Sequence, residues 1–204
     1  MNILNLYAGI GGNRKLWGKE HKITAIEFDK EIAAVYQTLF PYDDVYICKA
    51  CDFLERNYKN YDFIWASPPC TSHGQYRHNV GVLGKGFAPI IPDMRSLYGI
   101  IIFLQTYCDG YWVVENTKPY YTPLIAPSCI LQRHLFWSNF LISEKSFPIS
   151  NIRRKNKISD FSNFQFVADS KIKNKRQVLR NCVDENVGKY ILDSLIQQKE
   201  GRES

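Results

Sequence analysis

Long apolar runs are scarce in this sequence. The longest, around Ile100-Ile101-Ile102-Phe103-Leu104, falls far short of the roughly 18 apolar residues of a membrane span. No leader-like segment opens the chain, and both absences lead to the expectation of a cytoplasmic protein with no membrane partner. Cysteine is present but unframed. Of the six cysteines only Cys48 and Cys51 form a CxxC, and no second pair answers it. A disulfide scaffold is therefore excluded, and no metal site is expected. The phosphate cradles GxGxxG and the P-loop lysine are also missing.

What is present has the composition of a soluble globular domain. The 204 residues are 45% hydrophobic and 23% charged, and a chain of this size buries about 70% of its unfolded surface without staples. The net charge of +6 is compatible with nucleic acid but does not establish it.

The chain is organised around Ala66-Ser67-Pro68-Pro69-Cys70, which closes the apolar run Tyr61-Asp62-Phe63-Ile64-Trp65. The run reads as a buried strand, and two prolines stop it and stiffen the backbone that carries Cys70. In an open α/β sheet, chemistry sits at the carboxyl ends of strands. A thiol held there can be aimed at a substrate; otherwise Cys70 is a small buried hydrophobe.

Three earlier strands aim at the same edge. Ile3 to Tyr7 leads into the turn Ala8-Gly9-Ile10-Gly11-Gly12, and Asn13 to Lys19 reads as a helix pointing its N-terminus at that turn. Ile23 to Ile26 ends in Glu27-Phe28-Asp29, where doubly wound folds hold a ribose on a carboxylate. Glu27 is assigned to the ribose, and Asp29 to the cap of a helix from Lys30 to Leu39. Past a third strand, Val45 to Ile47, Asp52 either meets an adenine amine or caps the helix Phe53 to Asn57.

Beyond Cys70, Thr71 to Pro92 has no period and contains Gly74, Gly81, Gly84 and Gly86 with His73, Arg77 and His78. This composition predicts a closing flap, with an inert surface loop as the alternative. A helix follows from its cap Asp93 to about Tyr107, with Leu97, Ile100, Ile101 and Leu104 at helical spacing. The fifth strand, Tyr111 to Val114, ends in Glu115-Asn116, so a thiol and an acid face one cleft.

In this order the blocks Leu6 to Gly12, Glu27-Phe28-Asp29, Asp52, Ser67-Pro68-Pro69-Cys70, Val114-Glu115-Asn116 and Arg133 resemble those of the cytosine-5 DNA methyltransferases. Leu179 to Val183, with a helix from Val187 to Leu195, resembles the segment that returns to complete the family's cofactor pocket. The resemblance implies a Rossmann-like, S-adenosylmethionine-dependent methyltransferase fold, α/β with a doubly wound, mostly parallel sheet. It implies cofactor contacts from Tyr7, Ala8, Gly9, Ile10, Gly11, Gly12, Glu27, Phe28, Asp52, Phe53, Pro69, Leu97, Asn181 and Val183. Catalysis falls to Cys70, Glu115, Asn116 and Arg133, on a bacterial or phage DNA (cytosine-5) methyltransferase pattern.

The implied chemistry has a clear logic. A thiolate added to carbon 6 of cytosine pushes electron density to carbon 5, which then takes the methyl group. Glu115 holds or protonates N3, and Arg133 steadies the base. An unperturbed cysteine, pKa about 8.5, is only a few per cent thiolate at neutral pH. The base must leave the duplex, with Gln75 or Arg77 filling the gap.

Two features depart from the family. Gln132-Arg133-His134 carries one arginine where the family has two, so the register of Arg133 is open. Only Asn139 to Gln177 stand where the family inserts a large recognition region. The expected organisation is a catalytic domain at 1–138, a vestigial recognition lobe at 139–177 and a returning helix segment at 178–204. Basic runs at Arg153-Arg154-Lys155-Asn156-Lys157 and Lys171 to Arg176 are assigned to phosphates, and Phe161, Phe164 and Phe166 to the lobe's small core. Double-stranded DNA is the expected partner, with a restriction endonuclease or a specificity protein as a further one. An RNA cytosine-5 methyltransferase and a catalytically silent nucleic-acid-binding relative remain as alternatives.

Overall fold

The computed structural model describes residues 1–75, 78–79, 91–148, 167 and 169–203. Its strands are β1 (Asn2–Leu6), β2 (Lys22–Glu27), β3 (Asp44–Ile47), β4 (Phe63–Ala66), β5 (Tyr111–Thr117), β6 (Cys129–Leu131) and β7 (His134–Ser138). Helices are α1 (Lys30–Leu39), α2 (Ala50–Asn57), α3 (Ile100–Tyr107), α4 (Lys175–Asn181) and α5 (Glu185–Glu203). The seven strands form one sheet in the order β3-β2-β1-β4-β5-β7-β6. The first five run parallel, and β7 returns antiparallel beside β5. The expected doubly wound, mostly parallel α/β sheet is therefore present.

Period-two alternation divides the sheet between two cores. Ile3, Ile23, Phe63, Trp65, Val113 and Phe136 face α5, which contributes Val187, Ile191 and Leu195. Leu4, Leu6, Ile64, Ala66, Val114 and Leu135 face the other way, onto Leu54 of α2 and Ile100, Ile101 and Leu104 of α3. Among the described residues no helix is long and apolar enough to cross a membrane.

The α1 expectation holds residue for residue: Asp29 Oδ1 accepts from the backbone N–H of Glu31 at 2.8 Å and of Ile32 at 3.2 Å. Asp93 likewise accepts from Arg95 and Ser96 N–H, although a wide π turn, Arg95–Gly99, precedes α3.

Three expectations are corrected. Asn13 to Lys19 is a series of turns rather than a helix. Arg14 is instead drawn into a buried bidentate pair with Asp43, at 2.9 and 3.0 Å, while Asn13 bonds to Asn5 inside the sheet. These long-range bonds outweigh seven residues' helical propensity. Helix α2 begins at Ala50, so Asp52 lies within its first turn and is not its cap. Glu115 and Asn116 lie within β5, because pairing with β7 extends that strand to Thr117.

Arg77, Gly81, Gly84, Gly86, Arg153, Arg154, Lys155, Phe161, Phe164 and Phe166 lie outside the described residues. On the N-terminal side of residue 149, Phe140 and Ile142 join the core under α5, and Gln198 bonds both the N–H and the carbonyl of Leu141.

Candidate active site

The carboxyl ends of β1, β2, β4 and β5 open on one cavity of about 560 Å³, a size typical of small-molecule sites. At its β1–β2 end lie Tyr7, Ala8, Gly9, Ile10, Gly12, Glu27 and Phe28. The Glu27 carboxylate accepts from Gly9 N–H at 3.0 Å and from Asp29 N–H at 2.9 Å. Each oxygen thus carries one backbone donor and keeps lone-pair capacity for another.

The C-terminal segment closes this end through Asn181, Cys182 and Val183. Its approach depends on glycine: a Cβ at Gly12 would stand 2.7 Å from the Val183 carbonyl oxygen and 2.8 Å from Cys182 Cβ. A Cβ on Gly188, at the start of α5, would run into the backbone carbonyl of Asn13. Trp17 Nε1 then donates to the Gly188 carbonyl at 3.1 Å.

At the other end are Pro68, Pro69, Cys70, Glu115, Asn116, Thr117 and His134. Asn116 Nδ2 donates to the Pro68 carbonyl at 3.0 Å, tying β5 to the proline turn. The Cys70 carbonyl accepts from the N–H groups of His73 and Gly74 at 3.0 and 2.9 Å, which fixes the chain after the thiol. Burial, and then the charge of Glu115, push the thiol's pKa up; Thr117 and Arg133 offset part of this. Glu115 is 5% exposed, and desolvation raises its carboxyl to about 7 against the pull of Ser67 and Arg133. Near neutral pH this acid is divided between a proton-donating and a charged form.

The structure thus brings together most of the predicted residues and leaves several out. Gly11 turns toward Phe40 and Tyr36. Exposed Asp52 and its neighbour Phe53 do not line the cavity, whose wall there is Cys48, Lys49, Ala50 and Cys51. Leu97 is core, 1% exposed, and Gln75 is exposed outside the cavity. Arg133 occupies the two-residue turn between β6 and β7 with Gln132, whose φ is 54°. Its guanidinium donates to the Arg180 carbonyl at the rim. Sequence reasoning missed His134, Thr117, Cys182, Cys48 and Cys51 as cavity residues. Alternation along His134-Leu135-Phe136-Trp137 was the available signal for His134. Among the described residues no cluster of three or more His, Cys, Asp or Glu side chains could hold a metal ion.

Residues 1–86 match the family described as C-5 cytosine-specific DNA methylase, so the resemblance carried by the motifs is borne out over that part of the chain. Similar solved structures include a Spodoptera frugiperda DNMT2 variant, 26% identical over 57% of this chain and 35% of that one, TM-score 0.38. Another is the Entamoeba histolytica methyltransferase EhMeth, 15% identical over 57% and 38%, TM-score 0.40. A third is a SAM-dependent methyltransferase from Agrobacterium tumefaciens, 14% identical over 60% and 40%, TM-score 0.40. The chain therefore spans less than half the length of each of these three proteins. No curated protein matches its sequence.

Proposed function

We propose that this chain, whose first 86 residues carry the C-5 cytosine-specific DNA methylase pattern, transfers a methyl group to carbon 5 of cytosine in DNA. The observation that carries the reading is that Cys70 and Glu115 line the same cavity as Gly9, Gly12, Glu27 and Val183. A nucleophile and an acid thus share one space with a cofactor cradle.

The cradle fits S-adenosylmethionine. Glu27 has acceptor capacity for ribose hydroxyls, and Phe28, lining the cavity yet 70% exposed, offers an aromatic face to an adenine. When bound, that cofactor supplies an electrophilic methyl group. Cys70 attacks carbon 6 of the base, its proton leaving to solvent or to a neighbouring base, and a carbon–sulfur bond forms. Glu115, neutral below about 7, donates to N3 and limits the charge that builds up in the ring. After methylation the proton on carbon 5 is lost and the carbon–sulfur bond breaks, restoring the thiolate. Asn116 keeps the proline turn in register with Glu115, and Arg133 contributes its charge from the rim.

DNA contact is assigned to the segment 139–177, where Lys171 and Lys173 are exposed and Arg153, Arg154 and Lys155 add charge in the sequence. Such a segment favours phosphate contacts over base readout. The cytosine must be flipped into the cavity.

The test is methyl transfer from radiolabelled S-adenosylmethionine to matched DNA and RNA, followed by bisulfite-type mapping. Label on carbon 5 of cytosine in DNA, with less than about 1% of the rate in Cys70→Ala, is the expected result. Label on RNA alone would replace the substrate, and label on neither would refute the activity.

A further inference from the structure

The register of β5 and β7 puts an unassigned side chain into the reaction space. His134 pairs with Thr117 and Phe136 pairs with Glu115. Directly paired residues share a face of the sheet, so Glu115, Thr117 and His134 all point to the side where Cys70 lies. His134 is 3% exposed, lines the cavity, and places Nε2 at 3.7 Å from Glu115 Oε1. That distance is too long for a hydrogen bond, so the pair is not closed on itself. Its other nitrogen, Nδ1, is buried with no partner.

The tautomer follows from that asymmetry. A buried N–H without an acceptor is less tolerable than a buried lone pair without a donor. The proton therefore sits on Nε2, beside Glu115. Burial and the nearby Arg133 hold the ring's pKa down to about 3, so it stays a neutral, single-proton donor.

The chemistry asks for such a donor. When a nucleophile adds to carbon 6 of cytosine, charge spreads over N3 and the carbonyl oxygen O2. Glu115 can serve N3, but a carboxyl group lends only one proton. Arg133 points to the Arg180 carbonyl at the rim.

Resting on the cytosine-methylation reading above, we infer that His134 is a catalytic residue whose Nε2–H donates to O2 of the flipped pyrimidine while Glu115 holds N3. The side chain at the start of β7 thereby does the work that the sequence assigned to Arg133.

The experiment compares single-turnover methyl transfer to DNA carrying cytosine or 2-thiocytosine, in which sulfur replaces O2 as a poorer acceptor. Wild type is expected to slow about 10-fold on the sulfur substrate. His134→Leu is expected to lose about 100-fold on cytosine, as for other lost donors to developing charge, and to become insensitive to sulfur. His134→Gln, which keeps an N–H, recovers about 10-fold and keeps some sensitivity. Arg133→Ala, whatever its rate, keeps the wild-type response to sulfur. Cofactor affinity by calorimetry and the melting temperature report whether each variant is folded. If His134→Leu does not fold, His134→Gln decides: a rate about 10-fold below wild type with a reduced sulfur response supports the inference, and a wild-type rate and response overturn it. A His134→Leu rate within about 3-fold of wild type, or one still slowed by sulfur, overturns the inference alone. A wild type that labels no cytosine overturns the inference together with the reading beneath it.

Discussion

At the β1–β2 end of the cavity the fold itself supplies hydrogen-bond partners to Glu27 and Asn13. At the β4–β5–β7 end, Asn116 Oδ1 and His134 Nδ1 are buried without one. Leaving such a group unpaired costs about 1–3 kcal/mol. One end is therefore preformed at little cost, while the other holds polar atoms that a substrate or its waters must satisfy. Glu115 belongs with the second group, since its raised pKa records a charge the fold does not fully compensate.

The largest effect expected on that contrast comes from Glu115→Gln. Methyl transfer should fall about 10²- to 10³-fold, as for a lost acid or electrostatic group, with cofactor affinity unchanged. Stability should move the other way. A carboxyl whose folded pKa is raised to about 7 binds its proton more tightly folded than unfolded. Stability is thus full below the unfolded value near 4.3 and falls as pH rises toward 7. The full loss is about 4 kcal/mol at 1.36 kcal/mol per pKa unit. Denaturant titrations at pH 5 and pH 8 should show that decline in wild type and its absence in Glu115→Gln; a parallel decline in both would reject the assignment.

Gly188→Ala probes the preformed end. The new Cβ meets the Asn13 carbonyl, and overpacking against backbone costs about 1–3 kcal/mol. Chemical denaturation should register that loss, and cofactor binding should weaken with it because Cys182 and Val183 withdraw from Gly12. Unchanged stability would mean that the C-terminal segment does not dock as described.

Glu27→Ala confines the perturbation to one side chain of the cradle. Cofactor affinity should drop by about 1.5–3 kcal/mol, the worth of hydrogen bonds to a charged group. Calorimetry that finds the same affinity would return Glu27 to a purely structural role between Gly9 and Asp29.

The same contrast explains what could be read in advance. The preformed end is local chemistry: Asp29 before Lys30, Glu27 at a strand end and glycines after β1 are short-range signals, and they fold as expected. The proline turn that carries Cys70 is equally local. What escaped depends on distant partners. Arg14 gives up a helix for Asp43, and Glu115 lies inside β5 only because β7 pairs with it. Arg133 and His134 are neighbours in sequence, yet the tight turn at Gln132 sends one to the rim and the other into the cavity. A one-residue change of register reverses which face a side chain takes, and no motif of six residues carries that information. Cys48 and Cys51 line the wall where Asp52 was expected because α2 starts three residues early.

The central claim is that Cys70 makes a covalent bond to cytosine in this cavity. It is tested most directly by incubating the protein and S-adenosylmethionine with duplex DNA containing 5-fluorocytosine, followed by denaturing electrophoresis and mass mapping of the adduct. Fluorine cannot leave as the proton does, so the carbon–sulfur bond should persist, with the modified peptide at Cys70 and no adduct in Cys70→Ala. Absence of any adduct with wild type, or an adduct that survives in Cys70→Ala, would contradict the account.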